Sequence, residues 1–315
     1  LASSTDSAVL VPLDSPRLLR RMSLDLRGVL PALDELDAVE EDESLLSHYR
    51  DVYLEDPRLE ERLVHLFQQR FQTRLDRFEV RWYDYFLEAE QEHEFEKSIG
   101  EEPLRLMAHV ATEDLPWTDI VTADYTLANE MLAGIWPLDY PADGEGWEVS
   151  TYTDGRPAGG VLVSNGLWWR YVTSKSNMNR SRAAAISRLL LCQDILSRPV
   201  SLVGAVALSD EDGTAEAIQN NPSCVACHAT LEPLSAALFG FWTVISYNPL
   251  ELSNYHSERE KLGEEVLGVA PGYYGQPIEG LVELGPAIAT DPRFYSCAVE
   301  TAASLLWRRE IESDD

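Results

Sequence analysis

The chain has 315 residues and carries 25 Lys and Arg against 54 Asp and Glu, a net charge of −29. A surface this acidic repels nucleic-acid phosphates and anionic lipid headgroups, so it excludes a nucleic-acid binder and suits basic partners, cations or a saline medium. The eight Trp and thirteen Tyr supply ample core material, and no run approaches the roughly 20 apolar residues that a transmembrane helix needs.

The length predicts about two domains, or one larger fold with insertions. Ser15-Pro16 reads as an N-cap with Pro at the first helical position, and Leu18, Met22 and Leu26 then recur every fourth residue until Gly28. Leu33, Leu36 and Val39 predict a short second helix. Asp56-Pro57 opens a third, with Leu59, Leu63, Leu66, Phe67 and Phe71 on one face. The acidic, aromatic stretch 78–97 reads as helix with a solvated face, and 117–136 as helix around Leu127, Met131 and Leu132. Between 141 and 163, Gly144, Gly146, Gly155, Pro157, Gly159 and Gly160 break the pattern into loops and a small β-hairpin.

Helical periodicity returns over 181–195 through Ile186, Leu189, Leu190 and Cys192, and a polar loop is expected over 209–222. The region 248–280 is rich in loops. A last helix opens at Asp291-Pro292, with Phe294, Cys297, Thr301 and Leu305 on one face. The expected architecture is therefore mainly α: a helical N-terminal domain over 1–140, then a helical domain over 141–315 with long loops.

The chemistry lies in Cys224-Val225-Ala226-Cys227-His228. Residues three apart share a helix face, so Cys224 and Cys227 can reach two vinyl groups on one porphyrin edge while His228 turns its imidazole under the iron. This pentapeptide is the signature of c-type haem attachment, and it predicts one covalent haem c per chain, in a cytochrome c-like C-terminal domain. Structural zinc would need four ligands, and only Cys192 and Cys297 remain, isolated from each other in the chain. A thioredoxin-like dithiol would want a preceding strand where a polar loop is expected.

Several stretches together resemble a bacterial family. Thr122-Ala123-Asp124-Tyr125-Thr126-Leu127-Ala128-Asn129-Glu130-Met131-Leu132-Ala133 is similar to a signature of the planctomycete-type, cytochrome-associated surface proteins, which join successive domains of unknown function to a C-x-x-C-H site. The likeness continues through Gly160-Val161-Leu162, 188–192, Glu232-Pro233-Leu234 and 291–297, and 18–28 looks like the opening of a related domain. The chain departs from the pattern after the haem motif, where Glu232-Pro233-Leu234-Ser235 stands in place of Asp-Pro-Leu-Gly, and where a Pro-rich run is reduced to Pro199. The resemblance implies an exported, largely helical haem protein.

The group opposite His228 on the iron separates electron transfer from ligand chemistry. No Met follows the motif. Met178, in a polar segment, and His256 downstream are the candidate distal ligands, with an open position as the third possibility. Met22, Met107 and Met131 read as packing, His65 as a core or boundary residue, and His48 and His93 as surface. Trp168-Trp169 and Tyr273-Tyr274 read as core aromatics, with walling a haem as the alternative. Cys192 and Cys297 form an even pair that is either a disulfide or two buried thiols.

The expectation is an exported monohaem c-type cytochrome in electron transfer, docking a basic redox partner or serving in a homo-oligomer or multi-subunit assembly. The alternatives are a haem enzyme or small-ligand binder with an open distal site, and a structural, polymerising surface protein. Leu1 in place of Met fits either a mature chain after leader removal or a trimmed one; with the even pair of spare cysteines, the expectation is the periplasm, the cell surface or the exterior.

Overall fold

The computed structural model describes residues 12–197, 211–243, 248–309 and 311. The protein is mainly α, as predicted, with 15 α-helices and five short strands among the described residues. Its contacts group into two compact units, 1–65 and 66–315. The position 140/141, expected as a domain boundary, lies inside the second unit.

In the first unit, α1 (Ser15–Leu26), α2 (Leu33–Glu41) and α3 (Leu45–Leu54) surround the buried Leu19, Val39 and Tyr53. The cap of α1 is Asp14, not Ser15: its carboxylate accepts from the Arg17 amide at 3.0 Å, one residue earlier than the sequence pattern indicates. Gly28 adopts a left-handed φ of 72° just past the helix end. Arg27 lies 3.5 Å over the Tyr53 ring and donates to Ser23 and Glu35, and the Tyr53 hydroxyl donates to the same Glu35 carboxylate at 3.0 Å. The helix α4 (Arg58–Phe71) carries the chain into the second unit.

The second unit is built on α5 (Glu92–Thr112), which is buried on nearly every side from Phe95 to Ala108. The chain reaches it through two 3₁₀ turns, Trp82–Tyr85 and Ala89–Gln91, so the helix expected over 78–97 begins only at Glu92. Next come α6 (Asp119–Thr122), β1 (Thr126–Ala128), α7 (Glu130–Ile135), β2 (Leu138–Asp139) and β3 (Glu148–Tyr152). The strands form an antiparallel sheet in the order β1-β3-β2, with Leu127 opposite Val149 and Leu138 opposite Tyr152. The hairpin expected within 141–163 is displaced: only β3 lies there, and it pairs back to β2, just ahead of that range, while Leu127, read as helical, sits in a strand.

A buried carboxylate ties this sheet to α5. Glu102 accepts from the Thr126 hydroxyl at 3.0 Å, from the Tyr152 hydroxyl at 2.7 Å and from the Gly166 amide at 2.7 Å. Gly166 belongs to α8 (Asn165–Arg170), which packs along α5. Trp168 is buried with its indole N–H on the Leu162 carbonyl, and Trp169 joins Phe78, Phe95 and Trp136, so both tryptophans are core residues.

The remaining helices are α9 (Arg180–Leu191), α10 (Glu211–Asn220), α11 (Pro222–Ala236), α12 (Pro249–Ser253), α13 (Leu262–Leu267), α14 (Leu281–Ala289) and α15 (Pro292–Trp307). Strands β4 (Gly272–Tyr273) and β5 (Gln276–Pro277) form a two-residue antiparallel ladder. Of the loop expected over 209–222, the part Glu211–Asn220 is helical, while Ser209 lies outside the described residues, as does Pro199. Asp291 caps α15, its carboxylate accepting from the Arg293 amide at 2.9 Å, as the Asp-Pro pair predicted.

Candidate functional site

The Cys-x-x-Cys-His run occupies the first two turns of α11. Asn221 is its N-cap, with a side-chain oxygen that accepts from the Ser223 amide at 2.9 Å, and Pro222 stands at the first helical position. These two residues start the helix where the motif begins. Cys224, Cys227 and His228 therefore stand at i, i+3 and i+4 on one face. Both thiols are free and half-buried, and Cys227 Sγ approaches the Ile195 carbonyl at 3.7 Å.

One turn further along that face stands Glu232, whose Oε1 meets His228 Nδ1. Glu232 is also gripped from α9: Arg180 Nε donates to Oε1 at 2.7 Å and Arg180 Nη2 to Oε2 at 3.1 Å. The Glu232 side chain is 7% exposed and that of His228 24%. Burial acts to raise the Glu232 carboxyl, but hydrogen bonds from His228 and Arg180 outweigh it and hold the group below the ordinary carboxylate range. This pairing was missed in the sequence, and the i+4 spacing from His228 is the signal that could have found it. Arg180, 52 positions away from Glu232 in the chain, had no such signal.

The two distal candidates have other neighbours. Met178 has a positive φ of 50° and packs with Ala236, Phe239, Trp242 and Leu267. Ala236 closes α11 eight residues beyond His228, on the order of 12 Å along the helix axis. His256 is held on both ring nitrogens: Nε2 lies 3.0 Å from the Glu251 carbonyl oxygen and Nδ1 lies 3.3 Å from a Glu258 carboxylate oxygen.

Cys192 and Cys297 form a disulfide, with Cα atoms 5.2 Å apart. It joins the residue just past α9 to the first half of α15, which selects one of the two states the sequence left open. Arg70 reaches the bridge, with Nη2 3.3 Å from Cys192 Sγ. Tyr273 and Tyr274 are tied down by their hydroxyls, to Asp291 at 2.7 Å and Ser187 at 2.9 Å. His65, expected in or at the core, is exposed.

The donor set at the head of α11 fits a covalently held porphyrin. Two reduced thiols share a face with one imidazole, and the engagement of Nδ1 leaves Nε2 as the nitrogen to meet a metal. Among the described residues, no group of three His, Cys, Asp or Glu side chains is placed to hold a bare metal ion. Among them, too, no helix is long and apolar enough to cross a membrane.

Residues 20–138 match the family PSD4, described as a protein of unknown function (DUF1592). The match includes the 122–133 stretch and ends well before the cysteine motif, so it agrees with the resemblance over the N-terminal part only. No curated protein and no solved structure matches the chain significantly.

Proposed function

We propose that this chain is an exported monohaem c-type protein that works in electron transfer. One observation carries the reading: the free thiols Cys224 and Cys227 share one face of a single capped helix with His228, whose imidazole is already anchored through Nδ1. In haem attachment each thiol would add its sulfur and hydrogen across one vinyl group, forming two thioethers, and His228 would offer Nε2 from below. When bound, the haem supplies a one-electron couple whose potential responds to ligand, burial and nearby charge. The haem-bearing part would be the segment 141–315.

Met178 is the leading distal candidate, because a thioether need only leave an apolar cluster, whereas His256 would have to give up contacts to Glu251 and Glu258. That engagement of His256 favours, as a second reading, an open distal position suited to small-ligand chemistry. The Cys192–Cys297 disulfide supports export, since such bonds persist in oxidising compartments. The net charge of −29 supports docking to a basic redox partner, weakened by salt.

The test is periplasmic expression with a c-type maturation system, followed by a denaturing gel stained for haem and a pyridine haemochrome spectrum. Covalent haem in the wild type, and none in a Cys224→Ala/Cys227→Ala variant, is the expected result. A colourless wild type, beside a loaded control cytochrome, removes the proposal. Rapid carbon monoxide binding to the reduced form would select the open-site reading over the carrier.

A further inference from the structure

The contact between His228 and Glu232 has more structure around it than a surface i, i+4 pair requires. Glu232 is buried, and its carboxylate is fixed from two directions: by its own helix α11 and by the two-point grip of Arg180 at the start of α9. Arg180 is itself held, donating through Nη1 to the Ser176 carbonyl at 3.2 Å. The neighbouring Asn179 takes a left-handed φ of 64° and donates to the Leu238 carbonyl at 3.1 Å, which locks this end of α9 to the chain just past α11. On the other side, Pro233 packs where a side chain at Gly272 would point, so the turn that carries Glu232 is also braced by the β4 strand.

We infer that Glu232, fixed by Arg180, is a positioning residue for His228, selecting the tautomer that keeps its proton on Nδ1 and making Nε2 a stronger electron donor to a metal. The inference rests on the haem reading for its consequence and on the hydrogen bond alone for its cause. A carboxylate acceptor draws more of the Nδ1 proton than a backbone carbonyl does, so the imidazole gains imidazolate character. A ligand that donates more charge stabilises the ferric over the ferrous state, and the haem potential falls. Arg180 opposes this in part, because it shares Oε1 and withdraws charge from the acceptor. The pair thus sets the strength of the ligand from both sides: Glu232 pushes and Arg180 restrains.

A purely structural role for Glu232 is the competing account, in which the carboxylate serves only to tie α9 to α11. The two accounts part in the readout. A tie between helices changes melting temperature. A positioning role also changes the tautomer, the iron–histidine bond and the potential.

Two measurements test this on the full chain. In the haem-free wild type, nitrogen-15 shifts of His228 should report the Nδ1–H tautomer, and in Glu232→Gln the population should move toward the Nε2–H form common in solution. In the haem-loaded protein, Glu232→Gln should keep its covalent haem, lower the iron–histidine stretching frequency of the ferrous form, and raise the potential by at least a tenfold change in the reduction equilibrium, about 59 mV for one electron. Arg180→Gln should move the frequency and the potential the other way. A wild-type His228 in the Nε2–H form overturns the inference with no variant needed. So does a haem-loaded Glu232→Gln with wild-type frequency and potential. Failure to load haem at all counts against the proposed function and leaves the tautomer measurement to decide this one.

Discussion

Glu96 is a carboxylate that the sequence places in a solvated acidic run and the fold places inside. Its residue is 4% exposed, Oε2 accepts from the Phe78 amide at 3.0 Å, and Arg81 Nη1 stands 3.7 Å from Oε1. Desolvation outweighs both of these and pushes the carboxyl up to about 7, against an ordinary value of 4.5. The folded state therefore holds this proton more tightly than the unfolded chain does. The stability linked to it is fully present below about pH 4.5 and is lost as pH rises through about 7. Glu96→Gln keeps the acceptor for Phe78 and removes the charge, so it should melt higher than wild type at pH 8, by on the order of 1 kcal/mol after allowing for screening. At pH 5 the gain should be nearly gone, and a gain equal at both values would show that the carboxylate is ionised throughout. Individual residues were the least legible scale, for a physical reason. Glu96 and the exposed His65 carry the same local signals as their opposites, and only partners distant in the chain decide their burial. The cysteine–histidine face was the exception, because its spacing lies within one helix.

At the scale of elements, helices with a strong cap or a clear apolar spacing were readable and those depending on a neighbour were not. α15 begins where Asp291-Pro292 says it should, and α2 follows its Leu33, Leu36, Val39 spacing. By contrast, α5 runs through Pro103, a residue that ordinarily ends a helix. Proline has no N–H to give the Ile99 carbonyl four residues back. The fold answers by laying Gly166 of α8 against that carbonyl: a Cβ there would overlap the Ile99 oxygen and come within 2.9 Å of Pro103 Cδ. The Gly166 amide completes the junction by donating to Glu102 at 2.7 Å. Proline and glycine, each a breaker when read alone, are compatible because they meet. Gly166→Ala would gain a little from a less flexible unfolded chain, a few tenths to 1 kcal/mol. The overlap costs more, about 1–3 kcal/mol, so chemical denaturation should find the variant less stable by roughly 2 kcal/mol. A variant as stable as wild type would mean that α8 can draw back from α5 freely. The strand Thr126–Ala128 was missed on the same grounds, since its partner Glu148–Tyr152 lies about twenty residues on and a three-residue strand has no period of its own.

For the molecule as a whole, the mainly helical class and the spare pair Cys192 and Cys297 were legible, and the division of the chain after His65 was not, because no linker composition marks it. The four cysteines fall into two redox states in the fold. Cys192 and Cys297 close a loop of 105 residues between α9 and α15, while Cys224 and Cys227 remain thiols on the α11 face. Cross-linking positions so far apart restricts the unfolded chain, and Cys192→Ala/Cys297→Ala should lose about 2–4 kcal/mol of stability. That loss belongs to the second unit, because both cysteines lie within 66–315. The same four residues would count a haem, if the proposed one is bound. In protein denatured without reductant, a chain that has taken up haem has both motif sulfurs in thioethers and the other two in the disulfide, so a thiol reagent should find none. The haem-free chain should show two, and both should disappear in Cys224→Ala/Cys227→Ala. Four reactive thiols would mean that the disulfide does not form, and two in a haem-stained preparation would mean that the haem is held without its thioethers. Zero in the coloured form and two in the colourless form would tie the helix geometry at the head of α11 to covalent chemistry at both of its sulfurs.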